Sequence, residues 1–275
     1  ANANANANGN TNFLEGVLRY RSDDDQRTLA SGQVLLASML GPEVEHYRST
    51  HNGAAPVISH HTADRPNDVL SSTRGKTLCA SQKRIIASSY ASEAYASFDR
   101  SDESRVLQKM IEAELEPEGV SFGGIDCLMT SICTDRGLPG VLSDYGTSGG
   151  NSSSSSGGDS SSDKDKDKDH YTEIYGPDRF ERLVNYVIQN QSFPTHFNDA
   201  ELSKMDMGPL WAELMDHIRP TLARKKDALK LALYSGHDST ILPLMASLGQ
   251  RVWNATDFPA YASMMILEIH EVMDK

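Results

Sequence analysis

Two short stretches of this 275-residue chain place ionisable side chains where they could handle an anion. One is Ser235-Gly236-His237-Asp238-Ser239-Thr240. An adjacent imidazole and carboxyl make a possible acid/base pair, one group donating to an oxygen and the other supplying a proton. The other stretch is Arg21-Ser22-Asp23-Asp24-Asp25-Gln26-Arg27. The planar guanidinium fork of Arg21 suits phosphate oxygens. Each stretch also has an ordinary reading. Aspartate at a helix start is a cap, and an arginine among carboxylates is a surface cluster worth little. Arg27, one turn into a helix, could instead lock the loop by pairing with Asp23, Asp24 or Asp25.

What favours chemistry is the pair of elements that must hold these residues. Leu231 to Tyr234 is an apolar run that reads as a short buried strand, and Ser239 to Leu248 reads as a helix with Ile241, Leu242, Met245 and Leu248 on one face. Val17 to Tyr20 reads as a strand, Arg21 to Asp25 as a polar corner, and Gln26 to Leu40 as a helix ended by Gly41-Pro42. Strand, corner and helix thus occur twice. Such corners lie at the carboxyl edge of a sheet, where α/β proteins bind ligands, and aim a helix N-terminus at the same point. Two of them on neighbouring strands would face one pocket.

Residues 41–77 read as mostly loop, His60 and His61 included, and a site made of His60, His61 and Asp64 would rest on spacing alone. Helices are expected over Ala80–Tyr95, Arg105–Leu115, Ile125–Ile132, Arg179–Gln189 and Gly208–Lys226, and a last strand over Tyr261–Ile269. Residues 1–12 are an Ala/Asn repeat, and 146–169 a Gly/Ser then Lys/Asp tract that cannot bury a core; both are expected to be disordered. The organisation this suggests is an α/β core in two parts, 13–77 and 227–275, around a mostly helical region, 78–226.

The formal net charge is −12, with no basic stripe, which argues against nucleic acid as the main partner. A small anionic substrate remains compatible, because a pocket needs only two or three local cations. No CxxC pair or His/Cys cluster suggests zinc, so neither metal nor cofactor is expected. Cys79, Cys127 and Cys133 are either buried thiols or secretory cysteines with one partner elsewhere. Sequons at Asn151, Asn190 and Asn254 lean towards a secretory, lysosome-like or extracellular location. No apolar run approaches the roughly 20 residues that span a bilayer.

Arg21-Ser22-Asp23-Asp24-Asp25-Gln26-Arg27-Thr28-Leu29-Ala30-Ser31-Gly32-Gln33 resembles the RSTDxxRTLxSAQ segment of the histidine acid phosphatases, the branch of the histidine phosphatase superfamily that includes acid phosphatases and phytases. Asp23 stands where that family has threonine, and Gly32 where it has another small residue. His237-Asp238-Ser239-Thr240 resembles the family's HD dipeptide after an apolar strand, and Phe258-Pro259-Ala260-Tyr261-Ala262-Ser263 its PPYAS strand start. His61-Thr62-Ala63, before Asp68 and Leu70, is a weaker echo. The resemblance implies a mainly parallel sheet with helices on both faces and an inserted, mostly helical cap. It implies hydrolysis of a small phosphomonoester through a phosphohistidine. Arg21 would bind the phosphate, His237 would donate to a phosphate oxygen, and Asp238 would protonate the leaving alcohol.

The family's RHGxRxP segment, which carries the attacking histidine ahead of RSTD, has no counterpart in this sequence. His46, His51, His60 and His61 all follow Arg21. The chain therefore reads as a fragment that is inactive alone, or as a degenerate relative that binds phosphate or a phospholigand without turnover. Oligomeric state is not legible.

Overall fold

The computed structural model describes residue 14 and residues 16–64, 67–71, 78–112, 179–253 and 258–271. The expected helix at 125–132, the tracts 1–12 and 146–169, Cys127, Cys133, Asn151 and Asn254 lie outside them. The contacts separate two compact units, Ala1–Ile86 with Thr195–Lys275, and Ala87–Pro194.

The first unit is α/β. Among the described residues its sheet has three parallel strands in the order β2-β1-β3, with β1 at Leu18–Ser22, β2 at His60–His61 and β3 at Leu231–Ser235. β1 and β3 run in register from Leu18 opposite Leu231 to Ser22 opposite Ser235, and Tyr20 and Arg21 sit opposite His60 and His61. Side chains alternate along a strand and neighbours share a face. Tyr20, Ser22, His60 and Ser235 therefore face one way. Helix α1 (Gln26–Met39) covers them: Tyr20 Oη donates to Leu29 O at 3.3 Å and Ser235 Oγ to Thr28 O at 2.8 Å. Arg19, Arg21 and Tyr234 face the other way, and Glu213 meets all three there.

Tyr20 is 1% exposed, and its ring lies so close to α1 that a Cβ on Gly32 would come within 2.0 Å of the phenol oxygen. Gly32 is therefore needed for close approach of helix and strand. On the opposite face Leu70, Met207, Leu210 and Leu244 form a buried cluster, with Trp211, Leu214, Tyr234 and Met265 packed against it. Each such aliphatic side chain stabilises the fold by roughly 1.5–3 kcal/mol on burial.

Asp25 caps α1 by accepting from Arg27 N at 2.9 Å. Gly41-Pro42 ends α1 as expected, but it also starts another helix, α2 (Gly41–Thr50), with the proline in its first turn. Proline is suited to that place because its missing N–H has no helical partner there. The strands end later than expected. Arg21 and Ser22 belong to β1 and Ser235 to β3, so Arg21 is a strand residue rather than part of a loop. His60 and His61, expected in a loop, form β2 beside β1. The strand expected over Tyr261–Ile269 does not form. Among the described residues no ladder partner meets it, and Tyr261, Met264 and Ile266 stay more than 60% exposed.

The described residues of the second unit, 87–112 and 179–194, are mainly helical. The run expected as one helix over Ala80–Tyr95 breaks at Ala91-Ser92 into α3 (Ala80–Tyr90) and α4 (Glu93–Asp99), because the Ser92 hydroxyl caps α4 by accepting from Tyr95 N. Helix α5 (Asp102–Met110) is capped in the same way by Ser101 and carries Asp102 and Glu103 in its first turn, where the helix dipole favours anions. Helix α6 (Arg179–Leu222), whose residues from Thr195 on belong to the first unit, is interrupted there at 197–200, where Asn198, Asp199 and Ala200 take left-handed backbone angles. Within the second unit Leu107, Met110, Ile111, Leu183 and Val187 are buried, beside an aromatic cluster of Tyr95, Phe98, Tyr186 and Phe193. Asn190 Nδ2 donates to Tyr95 Oη at 3.1 Å, so the nitrogen a glycan would take is already engaged. Cys79, in the first unit, is an exposed free thiol.

Candidate active site

The register that sets Ser22 opposite Ser235 brings both polar corners to the same carboxyl edge of the sheet. A backbone bond from Asp23 N to Ser235 O at 3.3 Å continues the pairing one residue beyond the strands. β3 then turns through Gly236 into helix α7 (Asp238–Ala246), with His237 at its N-cap. His237 N–H donates to Thr240 Oγ1 at 3.2 Å, and Thr240 Oγ1 donates to Leu70 O at 2.5 Å. These bonds tie the start of α7 to the turn at 68–71.

The imidazole of His237 reaches back across the two strands. Its Nε2 lies 2.8 Å from Asp23 Oδ2 and 4.0 Å from Asp25 Oδ2. Asp23 is nearly buried, and its other oxygen accepts from the Thr28 hydroxyl. The hydrogen bond to Asp23 raises the His237 pKa above the ordinary histidine value, against the opposing effect of burial, and the charges of Asp23 and Asp25 add to it. His237 thus stays cationic to higher pH than a free histidine. The His237 side chain also takes part in a capping box with Thr240 at the start of α7. Asp25 is pulled below the usual carboxylate range, chiefly by the backbone N–H of Arg27. Asp238 is exposed, with Oδ1 accepting from Ser239 N at 2.5 Å.

Arg21 sits differently. It is 8% exposed, and Nη2 donates to Asp68 Oδ1 at 2.6 Å while Nη1 donates to Glu213 Oε2. Asp68 is fully buried, and its Oδ1 also accepts from Leu70 N at 2.9 Å. Glu213 is shared further. Arg19 Nη2 lies 3.5 Å from Oε1, and the Tyr234 hydroxyl donates to the same oxygen at 3.3 Å. Burial, and then the Glu213 charge, push the Tyr234 phenol up to about 12, so it remains a donor. Arg19 and Arg21 balance Asp68 and Glu213 in formal charge.

The structure therefore brings His237 together with Asp23 and Asp25, and Arg21 together with Asp68 and Glu213. Arg21 and His237 lie at one sheet edge without touching. Sequence reasoning named Asp23 as a cap or loop residue standing where the resembled family has threonine, and it missed Asp68 and Glu213 as partners of Arg21. Asp68 was visible only as part of a weak motif echo. Glu213 lies 192 positions from Arg21, and no local pattern connects them.

His60 is a second residue that sequence reasoning placed elsewhere. Its Nε2 is 2.7 Å from Ser22 Oγ and its ring stacks on Tyr20 at 4.4 Å. Burial, then the neighbouring His61, lowers its pKa, which suits a neutral ring bonded to a hydroxyl. Among the described residues no group of three His, Cys, Asp or Glu side chains is arranged to hold a metal. Two open depressions of about 160 and 210 Å³ contain none of Arg21, Asp23, His237 or Asp238.

Compared with known families, residues 9–275 match the model of the histidine phosphatase superfamily (branch 2). No curated protein matches the chain.

Proposed function

The chain belongs to branch 2 of the histidine phosphatase superfamily, which makes it a phosphatase-type hydrolase for a small phosphorylated substrate, and on that premise we propose that it carries the substrate-holding half of an acid-phosphatase-type site. Arg21 binds the phosphoryl oxygens, cationic His237 donates to another of them, and Asp238 protonates the departing alcohol. The attacking histidine of an RHGxRxP segment forms the N–P bond as the P–O bond to the alcohol breaks, and water later releases phosphate. That segment is not in this sequence, so this chain alone binds phosphate without turnover. The helical region takes the part of the inserted cap.

The observation that carries the reading is the register of β1 and β3. It sets two polar corners at one edge, with the His237 imidazole held 2.8 Å from Asp23. Electrostatic stabilisation of a transferring phosphoryl group needs such fixed donors. Asp238 is the exposed carboxyl beside them, as a proton donor to a leaving group must be.

A second reading is a phospholigand-binding protein without turnover. The engagement of Arg21 by two carboxylates favours it. One experiment separates the two. The chain is extended by an amino-terminal segment bearing RHGxRxP and assayed with an aryl phosphate. Turnover that falls by about 10²-fold or more in Asp238→Ala supports the phosphatase. Phosphate binding with no turnover supports the second reading.

A further inference from the structure

Arg21 offers its donors to an anion that is already there. Asp68 and Glu213 both touch its guanidinium, but they are held differently. Asp68 is fully buried and fixed by Leu70 N, in a turn that Thr240 grips from α7. Glu213 projects from a separate element, α6, with its side chain about 20% exposed. A phosphate approaching Arg21 cannot displace Asp68 without opening the 68–71 turn. It can displace Glu213 by a change of side-chain rotamer.

We infer that Glu213 is a specificity-determining residue: an internal carboxylate on the Arg21 donor edge that an incoming phosphate must replace. This rests on the reading of Arg21 as a phosphate ligand. An intramolecular carboxylate acts at high effective concentration, so an external monocarboxylate gains nothing by exchanging with it. A phosphate dianion presents more charge and more acceptor oxygens to the same fork, and can win the exchange. The Tyr234 hydroxyl and Arg19 keep Glu213 in reach when Arg21 is released, since both bond its other oxygen. Glu213 thus sets a threshold that admits phosphate and rejects carboxylates.

The test is titration of the whole chain with inorganic phosphate and, separately, acetate, by calorimetry in about 0.15 M salt, where surface charges are screened beyond ~8 Å. Glu213→Gln is expected to bind phosphate about tenfold more tightly and to bind acetate measurably. Tyr234→Phe, which frees Glu213 without removing it, serves if Glu213→Gln does not fold, and is expected to shift phosphate affinity about two- to threefold. Asp216→Asn is the control, since Asp216 is an exposed carboxylate of the same helix that pairs with Arg219. Equal tightening in Asp216→Asn would overturn the inference, as would unchanged phosphate and acetate binding in Glu213→Gln. Arg21→Lys separates the two levels. If it leaves phosphate binding unaltered, the phosphate role of Arg21 is wrong. If it weakens binding while Glu213→Gln changes nothing, only the role of Glu213 is wrong.

Discussion

The corners after β1 and after β3 are made from the same parts, yet they hold their charges in opposite ways. At the end of β1, Arg21 is buried and its guanidinium is taken by carboxylates from two other segments. After β3, His237 is partly exposed, paired with Asp23, and followed by an exposed Asp238. The first corner is a closed charge network that needs partners removed before it can bind anything. The second keeps a partly exposed imidazole and an exposed carboxyl. Identical local architecture therefore does not give identical availability. What decides it is how fully counter-charges enclose the side chain, here residues 68 and 213 around a buried Arg21 and residue 23 against a partly exposed His237.

The strongest way to break the contrast is to remove the buried anchor of the first corner. Asp68→Ala leaves Arg21 short of its fully buried partner, and breaking a buried pair from one side costs about 3–5 kcal/mol. Denaturant unfolding should show that loss, and a change under about 1 kcal/mol would mean that Glu213 alone satisfies the guanidinium. A smaller effect compares the glycines beneath the two corners. Gly32→Ala drives a methyl into the buried Tyr20 ring, with 2.0 Å of room. Gly236→Ala meets the Thr240 hydroxyl oxygen at 2.9 Å, a milder approach. Overpacking a rigid site costs about 1–3 kcal/mol. Gly32→Ala should therefore lower stability by that amount and Gly236→Ala by less. The reverse order in thermal melts would show that Tyr20 moves freely.

Much of this was legible along the chain. The α/β class and the two strand–corner–helix units followed from short apolar runs and from cap residues such as Asp25, signals that span only a few positions. The failures share one cause. His60 and His61 show no strand pattern of their own, and they become β2 because β1 offers an unpaired edge. Tyr261–Ile269 shows a strong strand pattern, yet a strand exists only with a ladder partner, and none meets it among the described residues. The expected helix over Ala80–Tyr95 failed for a local reason, because Ser92 serves better as a cap than as an interior residue. At the site, residue types at each corner could be read, but their pairing could not. The bond from Asp23 to His237 crosses more than 200 positions, and only the β1/β3 register brings it about.

The smallest effect sharpens the second corner, and its sign is fixed by proton linkage. Asp23 raises the His237 pKa in the folded protein, so the folded state holds the imidazole proton more tightly than the unfolded chain. The stabilisation is fully present below the unfolded value of about 6.5 and is lost as pH rises through the higher folded value. His237 is only partly exposed, so the pair falls between surface and buried ion pairs, at about 1 kcal/mol. His237→Gln should therefore unfold at a lower temperature than the parent chain at pH 6, and the gap should close by about pH 9. A gap that stays constant over that range would mean that the histidine acts by packing or by a neutral hydrogen bond. The second corner would then carry no cation.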